Sequence, residues 1–212
     1  MKKTFILAAA LALSCNMVKA QSTVDPIGKS NMMLNSKLMT PEALWAMGRI
    51  ASAQASPDGK SIVYQVGYYS VKENKSRQVI CIMDKDGKNI RQLTTGQKSE
   101  SDPVWIEGGK KSAFFCGGQL FSMNADGSER RQLTKDETGI DGFKFSPDGK
   151  KIILIKQIPF HESIKEKPSD LPQATGRLVT DLNYRHWDEY VETIPPPFLA
   201  DVTENGIEAG VD

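Results

Sequence analysis

The chain has 212 residues, is 39% hydrophobic and 25% charged, and carries a formal net charge of +1. That composition is ordinary for a globular protein and excludes collagen-like and disordered classes. So even a balance of acidic and basic residues leaves no electrostatic footprint for nucleic acid.

Residues 1–20 stand apart. Lys2 and Lys3 open the chain, an apolar run rich in Ala and Leu follows over 5–14, and Val18-Lys19-Ala20 puts a small residue ahead of Gln21. This layout predicts a secretory signal peptide. The apolar run is short for a bilayer span. A retained anchor, or a lipid on Cys15 after Ala12-Leu13-Ser14, is the alternative. Cleavage after Ala20 would remove Lys2, Lys3 and Lys19 and leave 24 of the 27 basic residues against 26 acidic ones. No later segment is long and apolar enough to be transmembrane. Two cysteines would remain, Cys81 and Cys116, both in predicted strands. A disulfide and two separately buried thiols both stay open. No His or Cys sits at metal-ligand spacing, so no metal and no cofactor is expected.

Residues 21–54 read as a lead-in with one short helix. Thr40 is placed to cap it, with Pro41 at the first helical position.

From position 55 the chain repeats itself, and periods of this length mark stacked architectures. Val79-Ile80-Cys81-Ile82-Met83-Asp84-Lys85-Asp86-Gly87 is followed by Arg91-Gln92-Leu93-Thr94. Gln119-Leu120-Phe121-Ser122-Met123-Asn124-Ala125-Asp126-Gly127 is followed by Arg131-Gln132-Leu133-Thr134. The offset is 40 both from Gly87 to Gly127 and from Thr94 to Thr134. A second element interleaves: Ser56-Pro57-Asp58-Gly59-Lys60, then Glu107-Gly108-Gly109-Lys110, then Ser146-Pro147-Asp148-Gly149-Lys150. Gly109 to Gly149 is again 40, whereas Gly59 to Gly109 is 50, so the first unit carries extra residues, assigned to a long hairpin over 67–77.

Pro presets φ for a turn, Asp bonds the backbone locally and Gly accepts φ > 0, so Pro-Asp-Gly reverses the chain. Asp86-Gly87 and Asp126-Gly127 are hairpin turns of the same kind. A calcium loop would need a bidentate Glu at its twelfth position, where Thr95 and Lys135 stand. The runs between turns are β-branched or aromatic and strand-length. Each unit therefore predicts four short antiparallel strands, which is a β-propeller blade. Blades are expected at about 55–102, 103–142 and 143–212, an all-β incomplete ring. The third unit departs from the period: 159–167 is polar, with Pro159, Pro168 and Pro172 nearby. Phe198-Leu199-Ala200-Asp201-Val202 resumes in the slot of a third strand, and Asn205-Gly206 in the slot of the hairpin turn. With the outer strand of that unit just starting at Asp212, the chain reads as a fragment or a truncated gene product.

The Ser-Pro-Asp-Gly-Lys and Asp-Gly-x-x-x-x-Gln-Leu-Thr units resemble the WD40-like propeller repeats of two groups. One is the S9 (prolyl oligopeptidase) family, above all its exported dipeptidyl and acylaminoacyl peptidases. The other is the periplasmic translocation protein TolB, a binding propeller of the cell envelope without catalysis. The repeats alone do not separate them. The lead-in around Thr40-Pro41-Glu42-Ala43-Leu44-Trp45 and the stretch Tyr184-Arg185-His186-Trp187-Asp188-Glu189-Tyr190 resemble the peptidases, whereas TolB would show an α/β domain before its blades.

The peptidase resemblance implies an α/β-hydrolase domain after the propeller, with its nucleophilic serine in a G-x-S-x-G elbow. No such elbow occurs here, and His161 and His186 are the only histidines. No catalytic residue is therefore assigned. The blades would gate access of short peptides to the missing domain, in the periplasm of a Gram-negative bacterium. Some S9 relatives hold a peptide's free amine with acidic propeller residues, and Glu162, Asp188 and Glu189 are the candidates here. The competing reading leaves Asp188 and Glu189 solvated while Tyr184, Trp187 and Tyr190 pack the blade.

Overall fold

The computed structural model describes residues 27–33, 37–159, 173, 193–204 and 206–209. The predicted signal peptide lies outside them, as does most of the irregular third unit. Among the described residues no helix is long and apolar enough to cross a membrane. The one α-helix, α1 (Pro41–Ala46), starts as expected: the Thr40 Oγ1 accepts from Ala43 N, and Pro41 opens the helix.

Three four-stranded antiparallel sheets follow. The first is β1 (Arg49–Ala55), β2 (Ser61–Ser70), β3 (Lys75–Asp84) and β4 (Arg91–Gln92), paired in chain order. The second repeats it with β5 (Glu100–Ile106), β6 (Lys111–Cys116), β7 (Gln119–Asn124) and β8 (Arg131–Gln132). The third opens with β9 (Gly142–Phe145) and β10 (Lys151–Ile155). It then makes an excursion whose base is a short pair, β11 (Ile158–Pro159) with β12 (Thr193–Ile194). It closes with β13 (Pro197–Thr203) and β14 (Gly206–Ala209). These are propeller blades, without a closed ring among the described residues. Phe198 to Val202 does occupy the third-strand slot, in register with β10.

Each sheet begins with the strand ahead of the Pro-Asp-Gly turn. Strand β1 thus falls in the stretch that the sequence places with the lead-in. The extra residues of the first unit form a hairpin, with Ser70 opposite Lys75 at its tip.

The turns explain their own sequence. Asp58 Oδ1 accepts from Ser56 Oγ at 2.6 Å and from Lys60 N at 3.1 Å, while Ser56 Oγ accepts from Ser61 N at 3.0 Å. Asp148 and Ser146 repeat all three bonds. The serine hydroxyls, then the Lys60 and Lys150 amides, hold both aspartates below the ordinary carboxylate range.

The Gln-Leu-Thr signature has an equally direct cause. The outer strands β4 and β8 are two residues long, too short to satisfy the strand beside them. Leu93 N donates to Ile80 O, and the buried Thr94 Oγ1 then accepts from Ile80 N at 2.9 Å. Leu133 and Thr134 do the same for Leu120. A side-chain oxygen continues the ladder where backbone pairing ends. Gln92 and Gln132 lock it by donating to the Thr94 and Thr134 carbonyls at 2.6 Å. Valine at 94 or 134 keeps the shape and orphans a buried N–H. A loss of about 1–3 kcal/mol is expected, read from the denaturant midpoint, with Thr→Ser recovering most of it.

The core lies between the blades. Val63 and Ile80 of the first blade meet Phe114, Cys116 and Met123 of the second. Ala113 and Leu120 of the second meet Ile152, Leu154 and Ala200 of the third. Strands covered on both faces lose the simple in–out alternation, as the unbroken buried run from Val63 to Gly67 shows. Turn glycines seal these interfaces. Gly127, at φ 91°, packs on Leu93, where an added Cβ would lie 3.3 Å from its carbonyl oxygen. Gly206, at φ 131°, sits in the same relation to Leu133 at 2.9 Å.

Cys81 and Cys116 are both buried free thiols. Cys116 lies between the first two blades, whereas Cys81 lies in a cluster on the other face of the first blade. Burial pushes the Cys81 thiol up to about 11.

Candidate functional site

Strands β1 and β5 approach one another at the first-strand edge of the blades. Each carries a bulge at the matching place. In β1 the pairing slips between Ala51 and Gln54, and in β5 between Ser101 and Val104, so two residues oppose one. Bulges bend a strand and re-aim its side chains. Here they place Ser52 at φ 47° and Asp102 at φ 51°, in the left-handed region that costs an ordinary residue about 1–2 kcal/mol.

Hydrogen bonds between the strands offset that strain. Ser52 Oγ donates to Asp102 Oδ1 at 2.9 Å, and Asp102 N donates to the buried Gln65 Oε1 at 3.0 Å. Trp105 N donates to Gln54 Oε1 at 2.8 Å, and its indole Nε1 donates to Gln54 O at 3.1 Å. The result is a rim of exposed polar groups with one carboxylate, fixed across two blades. Ser52 Oγ meets the Asp102 carboxylate, no histidine stands among the described residues, and no group of three or more metal-ligating side chains occurs among them. Such a rim can bind or filter.

The rim was not foreseen from the sequence. Its signal was the 50-residue offset that links Gly59 to Gly109, which also links Ser52 to Asp102.

Glu162, Asp188 and Glu189, proposed from the sequence to hold an amine, lie outside the described residues, as do His161 and His186. What is visible is the base of the excursion that carries them. Gln157 Nε2 donates to Asp141 Oδ2 at 2.6 Å and its Oε1 accepts from Thr193 Oγ1 at 2.8 Å. Lys156 Nζ reaches Asp136 Oδ2 at 2.9 Å and lies over the Phe198 ring. Burial works to raise the Asp136 carboxyl, but the bonds from Lys156 and Thr138 prevail and hold it low. The excursion thus leaves the third blade from a braced neck.

Over its full length the chain is 36% identical to dipeptidyl-peptidase 5 of Porphyromonas endodontalis, of which it covers 31%. It is 46% identical over 178 residues to dipeptidyl-peptidase 5 of Porphyromonas gingivalis, a match that takes in 82% of this chain and 26% of that protein. The chain therefore spans about a third of the length of these curated relatives. Among solved structures, the acylaminoacyl peptidase of Pyrococcus horikoshii matches 79% of this chain and 25% of its own, with a TM-score of 0.57 at 11% identity, a likeness of fold. No protein-family profile matches the chain.

Proposed function

We infer that this chain, a relative of the dipeptidyl peptidases along its whole length and a bearer of S9-type blades, is the propeller portion of an exported serine peptidase that hydrolyses short peptides. The observation that carries the reading is the 36% identity over 100% of the chain with a dipeptidyl peptidase. Repeats of a generic propeller would match in the blades alone.

In this reading the catalytic serine, aspartate and histidine belong to an α/β-hydrolase domain beyond these blades. A serine Oγ would attack the scissile carbonyl, release the amine and leave an acyl-enzyme for water to hydrolyse. The blades contribute selection. A rim fixed by hydrogen bonds between first strands, such as Ser52–Asp102, admits a flexible peptide and excludes a folded protein. Glu162, Asp188 and Glu189 stay candidates for the peptide's free amine, on the excursion held by the β11–β12 neck. Unchanged peptide affinity in Asp188→Asn would remove that residue. Residues 1–20 serve as the export signal, and the mature protein acts in the periplasm.

The test is a chimera in which this chain replaces the matching segment of the Porphyromonas gingivalis dipeptidyl-peptidase 5. It is expected to release dipeptides from chromogenic dipeptidyl substrates and to leave folded proteins intact. A chimera that folds by circular dichroism and gel filtration yet releases no dipeptide overturns the reading. Recovery of envelope proteins with the isolated chain, together with that failure, would favour a TolB-like binding propeller instead.

A further inference from the structure

We propose that the lead-in and the extra residues of the first blade form one latch, which opens and closes as a unit and pins β1, the first strand of the polar rim. In the second blade the paired residues Cys116 and Gln119 are joined by Gly117-Gly118 alone. In the first blade the equivalent pair, Val66 and Val79, is joined by the twelve residues 67–78, which continue β2 and β3 as a two-stranded extension.

That extension is where the lead-in is held, and it is held on both faces. Tyr68 and Arg77 stand opposite one another and share a face, whereas Tyr69 faces the other way. On the first face the Arg77 Nη1 donates to the Ile27 carbonyl at 2.9 Å, and Gly48 lies so close that a Cβ there would be 2.8 Å from the Tyr68 ring. Arg77 is 4% exposed although it stands on the extension. On the second face Trp45 meets the Tyr69 ring edge-on at 5.5 Å. The Arg49 guanidinium lies 5.0 Å from the Trp45 centroid and 4.4 Å from that of Tyr69.

Neither half stands without the other. A two-stranded hairpin is marginal in water, and so is a helix of six residues. Among the described residues from 27 to 48 only Ala43 is buried, so the lead-in has almost no core of its own. Two marginal elements that supply each other's contacts open together, ahead of the blades, which are packed on their neighbours. The latch also reaches the rim. Arg49, which contacts both rings, is the first residue of β1, and Ser52 of the rim follows on the same strand. A closed latch fixes the start of β1 and an open one frees it, so the latch sets how far the rim can yield. This role rests on the reading of the rim as a filter.

The experiment is hydrogen–deuterium exchange of the whole chain, read by mass spectrometry over segments 38–48, 49–55, 66–79 and 111–124, the last of them in the second blade. In Trp45→Ser the first three are expected to exchange about tenfold faster, because an aromatic pair and a cation–π contact are lost together, while 111–124 stays as it was. Trp45 is 41% exposed, so its loss leaves the blade cores intact. Tyr69→Ser, made from the other half of the latch, should release the same three segments; should it lose the protection of the blades as well, Trp45→Ser alone decides. A variant that speeds its own segment and leaves the other two unmoved overturns the proposal. So does exchange of 38–48 and 66–79 in the unaltered chain that is no faster than that of 111–124, because those segments then open only when the blades unfold. The rates need no catalytic assay, so they stand whether or not the chimera releases dipeptides.

Discussion

Replacing Arg130 by alanine is expected to destabilise the chain by about 3 kcal/mol, the low end of the range for breaking a buried ion pair. Glu100 is 1% exposed, and the Arg130 guanidinium is its ion-pair partner. Removal of the arginine strands a buried carboxylate that has no other ion pair among the described residues. The arginine side chain is itself 36% exposed, so water already screens part of the attraction, which argues against the upper end. Its guanidinium also lies 4.7 Å from the Phe121 centroid and 5.2 Å from that of Phe114, and those contacts go with it. A double variant separates the contributions. If the stranded charge dominates, Glu100→Gln added to Arg130→Ala recovers most of the loss. If stacking dominates, the second substitution changes little. Denaturant midpoints of the four proteins in the cycle decide between them.

The blades were legible because their turns and outer edges are written in residues with few other uses. Ser56-Pro57-Asp58-Gly59 and Ser146-Pro147-Asp148-Gly149 close the same bonds in the structure that their chemistry allows in the sequence. The inner strand was not legible in the same way. Arg49–Ala55 is exposed at every position, so it shows no apolar alternation and reads as linker. Bulges then hid the rim, because two residues opposite one break the period of two on which strand reading depends. The Arg130–Glu100 pair joins residues 30 apart, across three strands, and leaves no local pattern at all. The acidic candidates came from a different argument, that irregular segments carry function. That argument selects Glu162, Asp188 and Glu189 by location and supplies no geometry for them.

Phe114→Ala is expected to cost about 3–5 kcal/mol, and the shape of the unfolding curve should change with it. Phe114 is fully buried, with Phe121 stacked at 6.0 Å and 23° on its own sheet and Val63 and Ile80 across the interface. A cavity there weakens the contact between two blades more than either blade itself. In stacked modules stability is a sum of modest intrinsic terms and larger interface terms. Loss of one interface should therefore let the first blade unfold ahead of the rest. The observable is a lower apparent m-value, or two resolved transitions, in urea denaturation followed separately by Trp45 and Trp105 fluorescence in single-tryptophan variants. Phe115→Ala, which removes a ring facing the third blade at Phe143, is the control. It should loosen the second interface and leave the first two blades unfolding together. If instead both variants shift one cooperative transition with m unchanged, the blades are coupled by more than their shared apolar faces. The inter-blade bonds Ser52–Asp102, Gln54–Trp105 and Gln65–Asp102 would then carry the difference.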